Sequence, residues 1–183
     1  MKSQIAYLHG AIHDGYIYTG KSKGKVAVIT QKNREWLENI KEVIEENNGK
    51  AWIFPQRDIH VLETKFKHLI EPRKLSNKKE KLEYVSGFFD AEGGIPKKAD
   101  ARFYIQFVQK NKNELKEVSE ILEEFGIKCG KLHQYDKKKS GCWRFFVKTE
   151  SWKKFIELIK SRHPEKGKSL LQFRNQLLER HTR

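Results

Sequence analysis

The feature that most constrains how this 183-residue chain folds is an internal repeat. Residues 28–33 (VITQKN) and 106–111 (QFVQKN) each lead from an apolar, strand-like stretch through Gln-Lys-Asn into an amphipathic segment. Both segments carry apolar residues at the helical period: Trp36, Leu37, Ile40, Val43 and Ile44 in the first, and Leu115, Val118, Ile121, Leu122 and Phe125 in the second. Self-similarity of this kind predicts two copies of one folding unit.

The similarity extends to both sides of the two predicted helices. Asn33 and Asn111 are natural N-caps, and an acidic residue followed by glycine lies 17 residues before the glutamine of each copy, Asp14 in the first and Glu92 in the second. Downstream, each helix is followed by two strand-like runs and a short apolar helix. The runs are residues 51–55 and 58–63 in the first copy, and 129–135 and 142–149 in the second.

Each copy therefore reads as helix, two strands, helix, two strands and helix, which predicts an α+β fold of duplicated αββαββα units. Residues 1–72 form the first half, the basic stretch 73–81 is a linker, and residues 82–183 form the second half with a C-terminal helix over 168–180. Related copies are expected to pack with pseudo-two-fold symmetry, as the subunits of a dimer do.

The charge of the chain indicates its class of partner. Lys and Arg number 38 against 24 Asp and Glu, which is a formal net charge of +14. Such an excess attracts polyanions, so nucleic acid is the first expected partner and an anionic membrane surface the second. No apolar run approaches the ~20 residues that span a bilayer, and the first residues lack a signal-peptide core. The expected location is cytoplasmic and nucleoid-associated, or organellar in a eukaryote.

Histidine and cysteine do not form a recognisable metal-binding pattern. Cys129 and Cys142 are too few for a zinc module or a disulfide framework, and we expect two buried thiols in facing strands. His9 and His13 are spaced as on one helix face, but no third ligand is evident. We expect polar positions for them rather than a zinc site.

Two related motifs precede the two acids. Residues 85–93 read VSGFFDAEG, and residues 8–15 read LHGAIHDG, the same pattern with one residue fewer between the glycine and the acid. Small residues at these positions let two helices approach closely: Gly10, Ala11, Ser86, Gly87 and Ala91. A carboxylate at a helix C-terminus is unfavourable, and two carboxylates brought together repel unless they are protonated or bridged by cations. The residues alone leave two readings for Asp14 and Glu92, metal ligands or ordinary helix-end carboxylates.

These motifs resemble the LAGLIDADG motif of homing endonucleases, position by position in residues 85–93, and the duplicated pattern around them covers nearly the whole chain. The resemblance implies a single-chain protein with two motifs, whose antiparallel sheets form a DNA-binding saddle. It further implies that Asp14 and Glu92 are metal ligands, each serving one DNA strand. Mg²⁺ is the expected cation, because a hard ion suits all-oxygen ligation.

The resemblance also implies residues beside the metal ligands. Gln31 and Gln109 match a position that orients water or phosphate, although an ordinary strand-end amide is the alternative. The family has a basic residue near each site, and an alignment of residues 79–84 with 168–173 makes Lys79 and Lys168 the candidates. A further candidate is Lys148, which lies in a predicted strand of the second copy and is expected to face Leu62 of the first.

One predicted strand of the second copy alternates cleanly between two kinds of side chain. Arg102, Tyr104 and Gln106 lie on one side, and Phe103, Ile105 and Phe107 lie on the other. Period two puts the apolar set beneath the helices and the polar set outward. Arg and Gln pair with guanine and adenine edges in the major groove, so the outward set is a candidate DNA-reading surface.

The corresponding outward set of the first copy is less polar, because it consists of Val26, Val28 and Thr30. Nearby residues could compensate: Tyr16, Tyr18, Lys21, Lys23 and Lys25. Lysines in predicted loops suit phosphate contacts, which set register rather than sequence: Lys97, Lys98, Lys137, Lys138 and Lys139. Unequal faces predict an asymmetric target.

Together these inferences predict a monomeric, Mg²⁺-dependent endonuclease that cuts both strands of a long asymmetric DNA site across the minor groove, as in intron homing. The alternative is a non-cleaving relative, either a maturase acting on intron RNA or a DNA-binding regulator. Removing one residue from a helix rotates the residues after it by ~100°. A misplaced Asp14 would then leave a nickase or an inactive binder. A structural RNA-binding protein that uses only charge is a third class.

Overall fold

The computed structural model describes residues 2–20, 24–96, 101–134 and 141–179. The first part contains α1 (Lys2–Ala11), a 3₁₀ turn (Ile12–Asp14), β1 (Gly15–Gly20), β2 (Gly24–Gln31), α2 (Arg34–Glu46), β3 (Ala51–Gln56), β4 (Ile59–Thr64) and α3 (Lys67–Ile70). The second contains α4 (Lys78–Glu92), β5 (Gly93–Gly94), β6 (Gln106–Gln109), α5 (Lys112–Glu124), β7 (His133–Gln134), β8 (Trp143–Phe146), a 3₁₀ turn (Thr149–Ser151), α6 (Trp152–Leu158) and α7 (Pro164–Glu179).

The strands form two four-stranded antiparallel sheets of the same topology. The first has the order β1-β2-β4-β3 and the second the order β5-β6-β8-β7. Registers also correspond, since Gln31 pairs with His60 in the first sheet and Gln109 pairs with Trp143 in the second. The predicted αββαββα order, present twice, is therefore confirmed for the described residues.

Several predicted boundaries are wrong. The expected linker 73–81 is helical from Lys78 onward. Among the described residues of the expected strands 129–135 and 142–149, only those of β7 and β8 form strands. The C-terminal helix begins earlier than predicted, at Pro164, because proline suits the first helical position, where an N–H has no helical partner.

The two cysteines do not face each other. Cys129 is buried in an isolated bridge with Val147, whereas Cys142 is half-buried outside β8. The predicted pair of buried thiols in facing strands is therefore wrong for Cys142. Burial raises the pKa of the Cys129 thiol to about 12.

The chain forms two compact units. One comprises Met1–Ala91 with Ser161–Pro164, and the other comprises Glu92–Lys160 with Glu165–Arg183. The first unit thus contains α1, the first sheet and nearly all of α4. No helix among the described residues combines the length and apolar character needed to cross a bilayer.

The core of the first unit lies between its sheet and α2. Asn33 caps α2 by accepting a hydrogen bond from the Trp36 N–H at 2.9 Å, as the sequence predicts. The indole of Trp36 is fully buried and donates to the hydroxyl of Tyr7 on α1 at 2.9 Å. Alternate residues of β2, Ala27 and Ile29, join this core from the sheet.

Helices α1 and α4 meet at a seam of two glycines, within the first unit. A Cβ on Gly10 would lie 2.1 Å from the Tyr84 carbonyl oxygen of α4, and a Cβ on Gly87 would lie 2.0 Å from the Tyr7 carbonyl oxygen of α1. The two backbones are therefore in direct contact. The predicted close approach through small residues is correct.

A buried carboxylate next to the seam anchors the segment that leads from α6 into α7. Asp90 is fully buried and accepts hydrogen bonds from the Tyr7 hydroxyl at 2.7 Å and the Arg162 N–H at 2.7 Å. The Ser161 hydroxyl and the His163 N–H also donate to it. Burial, and then the negative Asp90, raise the pKa of Tyr7 well above its usual value, so Tyr7 remains a hydrogen-bond donor.

The second unit repeats the packing of the first. Asn111 caps α5 by accepting from the Asn113 N–H at 3.0 Å, and the apolar face of α5 covers a sheet core in which Phe107 and Phe145 stack at 5.0 Å. Helix α7 contributes Phe173, which stacks on Phe103. The inward placement predicted for Ile105 and Phe107 is confirmed, since both are fully buried.

Candidate functional site

In each unit, the acid at the end of the motif is held by the glutamine that ends a strand. In the first unit, Gln31 at the end of β2 donates through Nε2 to Asp14 Oδ2 at 2.6 Å. In the second, Gln109 at the end of β6 donates through Nε2 to Glu92 Oε1 at 2.8 Å. Each acid lies where a helix gives way to a strand. The repeat thus places the same carboxylate–amide pair in both units.

The orientation of each glutamine is set by its own backbone. Gln31 Oε1 accepts from the Lys32 N–H at 2.8 Å, and Gln109 Oε1 accepts from the Lys110 N–H at 2.6 Å. Because the carbonyl oxygen is engaged, the NH₂ group must point to the carboxylate. Both amides are thus hydrogen-bonded at both ends, and the role of the two glutamines in orienting water or phosphate stays a prediction.

A 3₁₀ turn compensates for the residue missing from the first motif. From Gly10 to Asp14 the chain makes one α-helical step and three 3₁₀ steps, a rise of about 7.5 Å at ~1.5 and ~2.0 Å per residue. The five α-helical steps from Gly87 to Glu92 also rise about 7.5 Å. The rotations are about 460° and 500°, so the difference is ~40° instead of ~100°.

The residue after Asp14 must be glycine for the strand to pass so closely. A Cβ on Gly15 would lie 1.9 Å from the Val28 carbonyl oxygen of the neighbouring strand β2. This close approach brings β1 against β2 directly after the acid, with Gly15 paired to Ile29. The glycine that follows the acid is thus a packing requirement of the site.

The donor set fits a hard divalent cation better than zinc. The ligands offered are the carboxylate oxygens of Asp14 and Glu92. Phosphate and water would complete the coordination shell, which is the usual arrangement for Mg²⁺.

His9 and His13 are half-buried beside the seam of α1 and α4. Burial, and then the positive Arg73, lower the pKa of both imidazoles to about 4. His13 Nε2 lies 3.1 Å from the Tyr84 hydroxyl and its ring packs on Phe88. Both histidines are polar residues near the helix seam, as the sequence predicts.

One of the basic residues expected near the acids lies far from Glu92. Lys79 is exposed in the first turn of α4, 13 residues from Glu92, or about 20 Å along the helix. Its assignment beside Glu92 is therefore wrong. Lys168 is exposed on α7 and stays a prediction. Lys148 is exposed beyond β8, outside any strand, while Leu62 is buried in the first unit.

Lysines that sequence reasoning missed adjoin both carboxylate–amide pairs. Lys32 and Lys110 follow the two glutamines directly, and both are exposed. Lys32 Nζ also lies 3.5 Å from Asp58 Oδ2. The signal was present in the repeated Gln-Lys-Asn triplet, in which only the glutamine and the asparagine had been assigned roles.

The outer face of the second sheet, opposite its helices, presents hydrogen-bonding groups. Arg144 on β8 pairs across the strands with Val108 and His133. Its guanidinium donates to His133 Nε2 at 3.3 Å through Nε, and His133 Nδ1 lies 3.1 Å from the Lys131 carbonyl oxygen. The imidazole therefore donates through Nδ1 and accepts through Nε2. Arg144 and His133 were missed because the register of β7 and β8 is not visible in sequence.

The outer face of the first sheet is aromatic and aliphatic. Val26 and Val28 point away from the helix-side core and form a separate buried cluster with Val61 of β4. The residues directly across from this cluster on the flanking strands are Tyr16, Tyr18 and Phe54. The outward placement predicted for the valines is correct. They are nevertheless buried, since Val28 is only 1% exposed.

The remaining predicted DNA contacts divide between described and undescribed residues. Arg102 is exposed, and Tyr104 and Gln106 are half-buried, with Gln106 on the outer face of its sheet. Lys25 directly precedes Val26 on β2, so its side chain lies on the opposite side of the sheet from Val26, the side of Ala27 and Ile29. Seven predicted lysines lie outside the described residues: Lys21, Lys23, Lys97, Lys98, Lys137, Lys138 and Lys139.

Comparisons with known proteins agree with the sequence motif. A family model described as a LAGLIDADG-like domain matches residues 79–160. Over 206 aligned residues the chain is 26% identical to the homing endonuclease I-ApeI of Aeropyrum pernix, with 96% of this chain and 87% of that protein covered.

Solved structures share the fold across both units. The chain is 25% identical to I-DmoI in its crystal structure with DNA and Mn, at a TM-score of 0.70, covering 88% of this chain and 98% of that one. Full-length DUF199/WhiA from Thermatoga maritima has a TM-score of 0.70 at 13% identity, covering 94% of this chain and 61% of that one. That second likeness concerns the fold alone.

Proposed function

Because this chain belongs to the LAGLIDADG homing endonuclease family, we propose that it is a site-specific endonuclease that hydrolyses both strands of a long, asymmetric DNA target. The observation that carries the proposal is the pair of matched carboxylate–amide contacts, Asp14 with Gln31 and Glu92 with Gln109.

Double-stranded DNA is the proposed substrate, bound by a single chain. The net charge of +14 favours a polyanion, and the similar I-DmoI structures contain DNA. We propose intron homing as the biological setting, because the relative I-ApeI is a homing endonuclease.

A divalent cation is the proposed cofactor, and Mg²⁺ is our specific assignment. Structures of I-DmoI are described with Mn, Ca or Mg. Asp14 and Glu92 would each hold a divalent ion, one acid for each strand. When bound, the ion lowers the pKa of a water and stabilises charge on the phosphate and on the departing 3′ oxygen.

The chain's own residues supply the positioning. Gln31 and Gln109 hold the two carboxylates by hydrogen bonds, and each amide is itself held by the N–H of the following lysine. This double restraint keeps each acid in one orientation before DNA binds, which removes an entropic cost from the reaction. We assign to Lys32 and Lys110 the role of binding the scissile phosphate beside each acid.

The test is cleavage of DNA that carries the intronless insertion locus, or of a randomised library, by the purified chain with Mg²⁺. Wild type should make a double-strand break. Glu92→Gln and Asp14→Asn should each abolish cutting of one or both strands while binding is retained. Glu120→Gln is the matched control, because Glu120 is an exposed acid that pairs with Lys116 on α5.

The outcomes separate the alternatives. Nicking by the wild-type chain would mean that the first motif, despite its 3₁₀ turn, supports only one working centre. Tight binding without any cutting in Mg²⁺ or Mn²⁺ would contradict the proposal and favour the maturase or regulator.

A further inference from the structure

The two sheets differ in chemistry at positions that their registers make equivalent. In the first sheet, Phe54 pairs with Val61, which also pairs with Thr30. In the second, His133 pairs with Arg144, which also pairs with Val108. Where the second sheet presents a guanidinium and an imidazole, the first presents a phenyl ring and an isopropyl group.

The difference extends beyond this one pair. Val28, opposite Tyr16 and Glu63, corresponds to Gln106, opposite Gly94 and Phe146. The outer face of the first sheet also exposes large rings: Tyr16 is 57%, Trp52 56% and Phe54 39% exposed. These exposed rings flank a buried valine cluster on both sides and give the face a mainly apolar surface, which Glu63 interrupts between Val28 and Trp52.

We propose that the first unit recognises its half of the DNA target through the C5-methyl groups of thymines, packed against Tyr16, Tyr18, Trp52 and Phe54, whereas the second unit reads base edges by hydrogen bonds. This inference rests on the proposed function, because it assumes that the outer faces of the sheets meet the major groove. It names the base that the first half of the target must contain.

The chemistry of the major groove supports thymine over the other bases. Thymine alone presents a methyl group there, and apolar side chains contact it, while guanine and adenine are read by Arg, Asn and Gln. The aromatic face has few groups for such pairing, since its strand donors are the hydroxyls of Thr30, Tyr16 and Tyr18, the amide of Gln56 and the indole N–H of Trp52.

Charge supports DNA as the partner that covers this surface. The chain carries a net charge of +14, which draws it to a polyanion. Glu63, between Val28 and Trp52 in the register, is the one carboxylate among the strand residues of this face. It would repel a phosphate but can accept a hydrogen bond from an amino group of a base. The face therefore suits base edges rather than the phosphate backbone.

The experiment changes the methyl groups of the DNA rather than the protein. Target sites are first selected from a randomised duplex library by binding to the full chain, in Ca²⁺ so that the DNA stays intact. In the selected site, every thymine of one half is replaced by uracil, which keeps the base-pairing edges and removes only the methyl group. The dissociation constant of the full site is measured once with uracil in the first half and once with uracil in the other half.

We expect uracil in the half bound by the first unit to weaken binding about fourfold for each methyl that is fully buried. Uracil in the other half should change binding less than twofold. The converse test starts from a thymine of the first half whose replacement by cytosine weakens binding. Replacing that cytosine by 5-methylcytosine should restore part of the affinity, because it returns the methyl group without the thymine pairing edge.

Matched variants assign the two effects to the two faces. Phe54→Ala should remove most of the uracil penalty and leave the base preferences of the other half unchanged. Arg144→Met should do the reverse, relaxing a guanine preference while the uracil penalty persists. Thermal unfolding of both variants should show that they remain folded. Tyr16→Phe, which keeps the ring, should retain the penalty.

Several results would overturn the inference. Uracil substitution without effect in either half would show that methyl groups are not read. Self-association of the chain that Phe54→Ala abolishes would identify the face as a protein interface. Stronger binding to single-stranded RNA through the same rings would point to base stacking instead. If the chain does not cut DNA but uracil still weakens binding, the proposed endonuclease activity is contradicted and this mode of recognition is not.

Discussion

Replacing Gly87 by alanine adds a single methyl group where α4 touches α1. The new Cβ would lie 2.0 Å from the Tyr7 carbonyl oxygen and 2.9 Å from the Ala11 nitrogen, whereas ordinary contact begins at 3.4 Å. Both close atoms belong to the backbone, so no side chain can rotate away. The helices would have to separate by about 1.4 Å, the difference between 3.4 and 2.0 Å.

Two opposing effects determine the sign of the change in stability. Alanine is favoured over glycine in a helix interior by about 1 kcal/mol. Overpacking a tight contact costs about 1–3 kcal/mol, and more where backbone must move. We therefore expect a net loss of ~2 kcal/mol in the free energy of unfolding, which is a fall of about 4–8 °C in Tm for a chain of this size.

The assay is thermal and chemical unfolding of Gly87→Ala beside Ser86→Ala. Ser86 is the buried neighbour on α4, and its hydroxyl donates to the Leu82 carbonyl oxygen of the same helix at 2.9 Å. Its replacement should change Tm by about 2 °C or less. A Gly87→Ala protein as stable as wild type, or more stable, would refute the contact between the helices, because helix propensity alone would then decide the outcome.

Three further predictions concern buried charge, protonation and the phosphate site. Asp90→Ala should lower the free energy of unfolding by about 3–5 kcal/mol, because it strands buried donors of Tyr7, Arg162 and His163; an effect below about 1 kcal/mol in urea unfolding would contradict this account. The pKa of His9 is lowered to about 4 by burial and then by Arg73. The unfolded chain therefore takes up its proton first, so stability that is complete above about pH 6.5 should be lost as the pH falls toward 4. The Tm of His9→Gln should depend less steeply on pH over that range than the Tm of wild type. Equal slopes for the two proteins would argue that His9 does not cause the loss of stability. Lys110→Met should slow cutting of one strand about 100-fold in single-turnover assays with DNA bound, while Lys79→Met, at the far end of α4 from Glu92, should stay within twofold. If the two variants slow cutting equally, Lys110 does not bind the scissile phosphate.

The local features of this protein could be predicted because they follow from short-range periodicity. Apolar spacing in α2 and α5, the asparagine caps and the 17-residue interval between acid and glutamine are all properties of neighbouring residues. The repeat of these features in the same order was sufficient to predict the element order of both units. The small residues of α1 and α4 likewise predicted their contact.

The sequence could not show how the shorter first motif reaches its glutamine. Counting residues predicts a rotation of ~100° for one missing helical residue. The 3₁₀ turn at Ile12–Asp14 replaces α-helical steps by longer ones and restores the rise, and Asp14 meets Gln31 as Glu92 meets Gln109. The choice between the two helix types depends on contacts made by the whole turn, and these involve distant strands.

By itself the sequence determined which face of β2 and of β6 a residue occupies, since alternation is a property of the extended backbone. Only the tertiary structure decided what surrounds that residue. Val28 points outward as predicted yet is buried, because register places Tyr16 and Glu63 beside it from two other strands. Arg144 meets His133 for the same reason. Neighbours across a sheet are set by hydrogen-bond register between segments far apart in the chain, and no local pattern encodes that register.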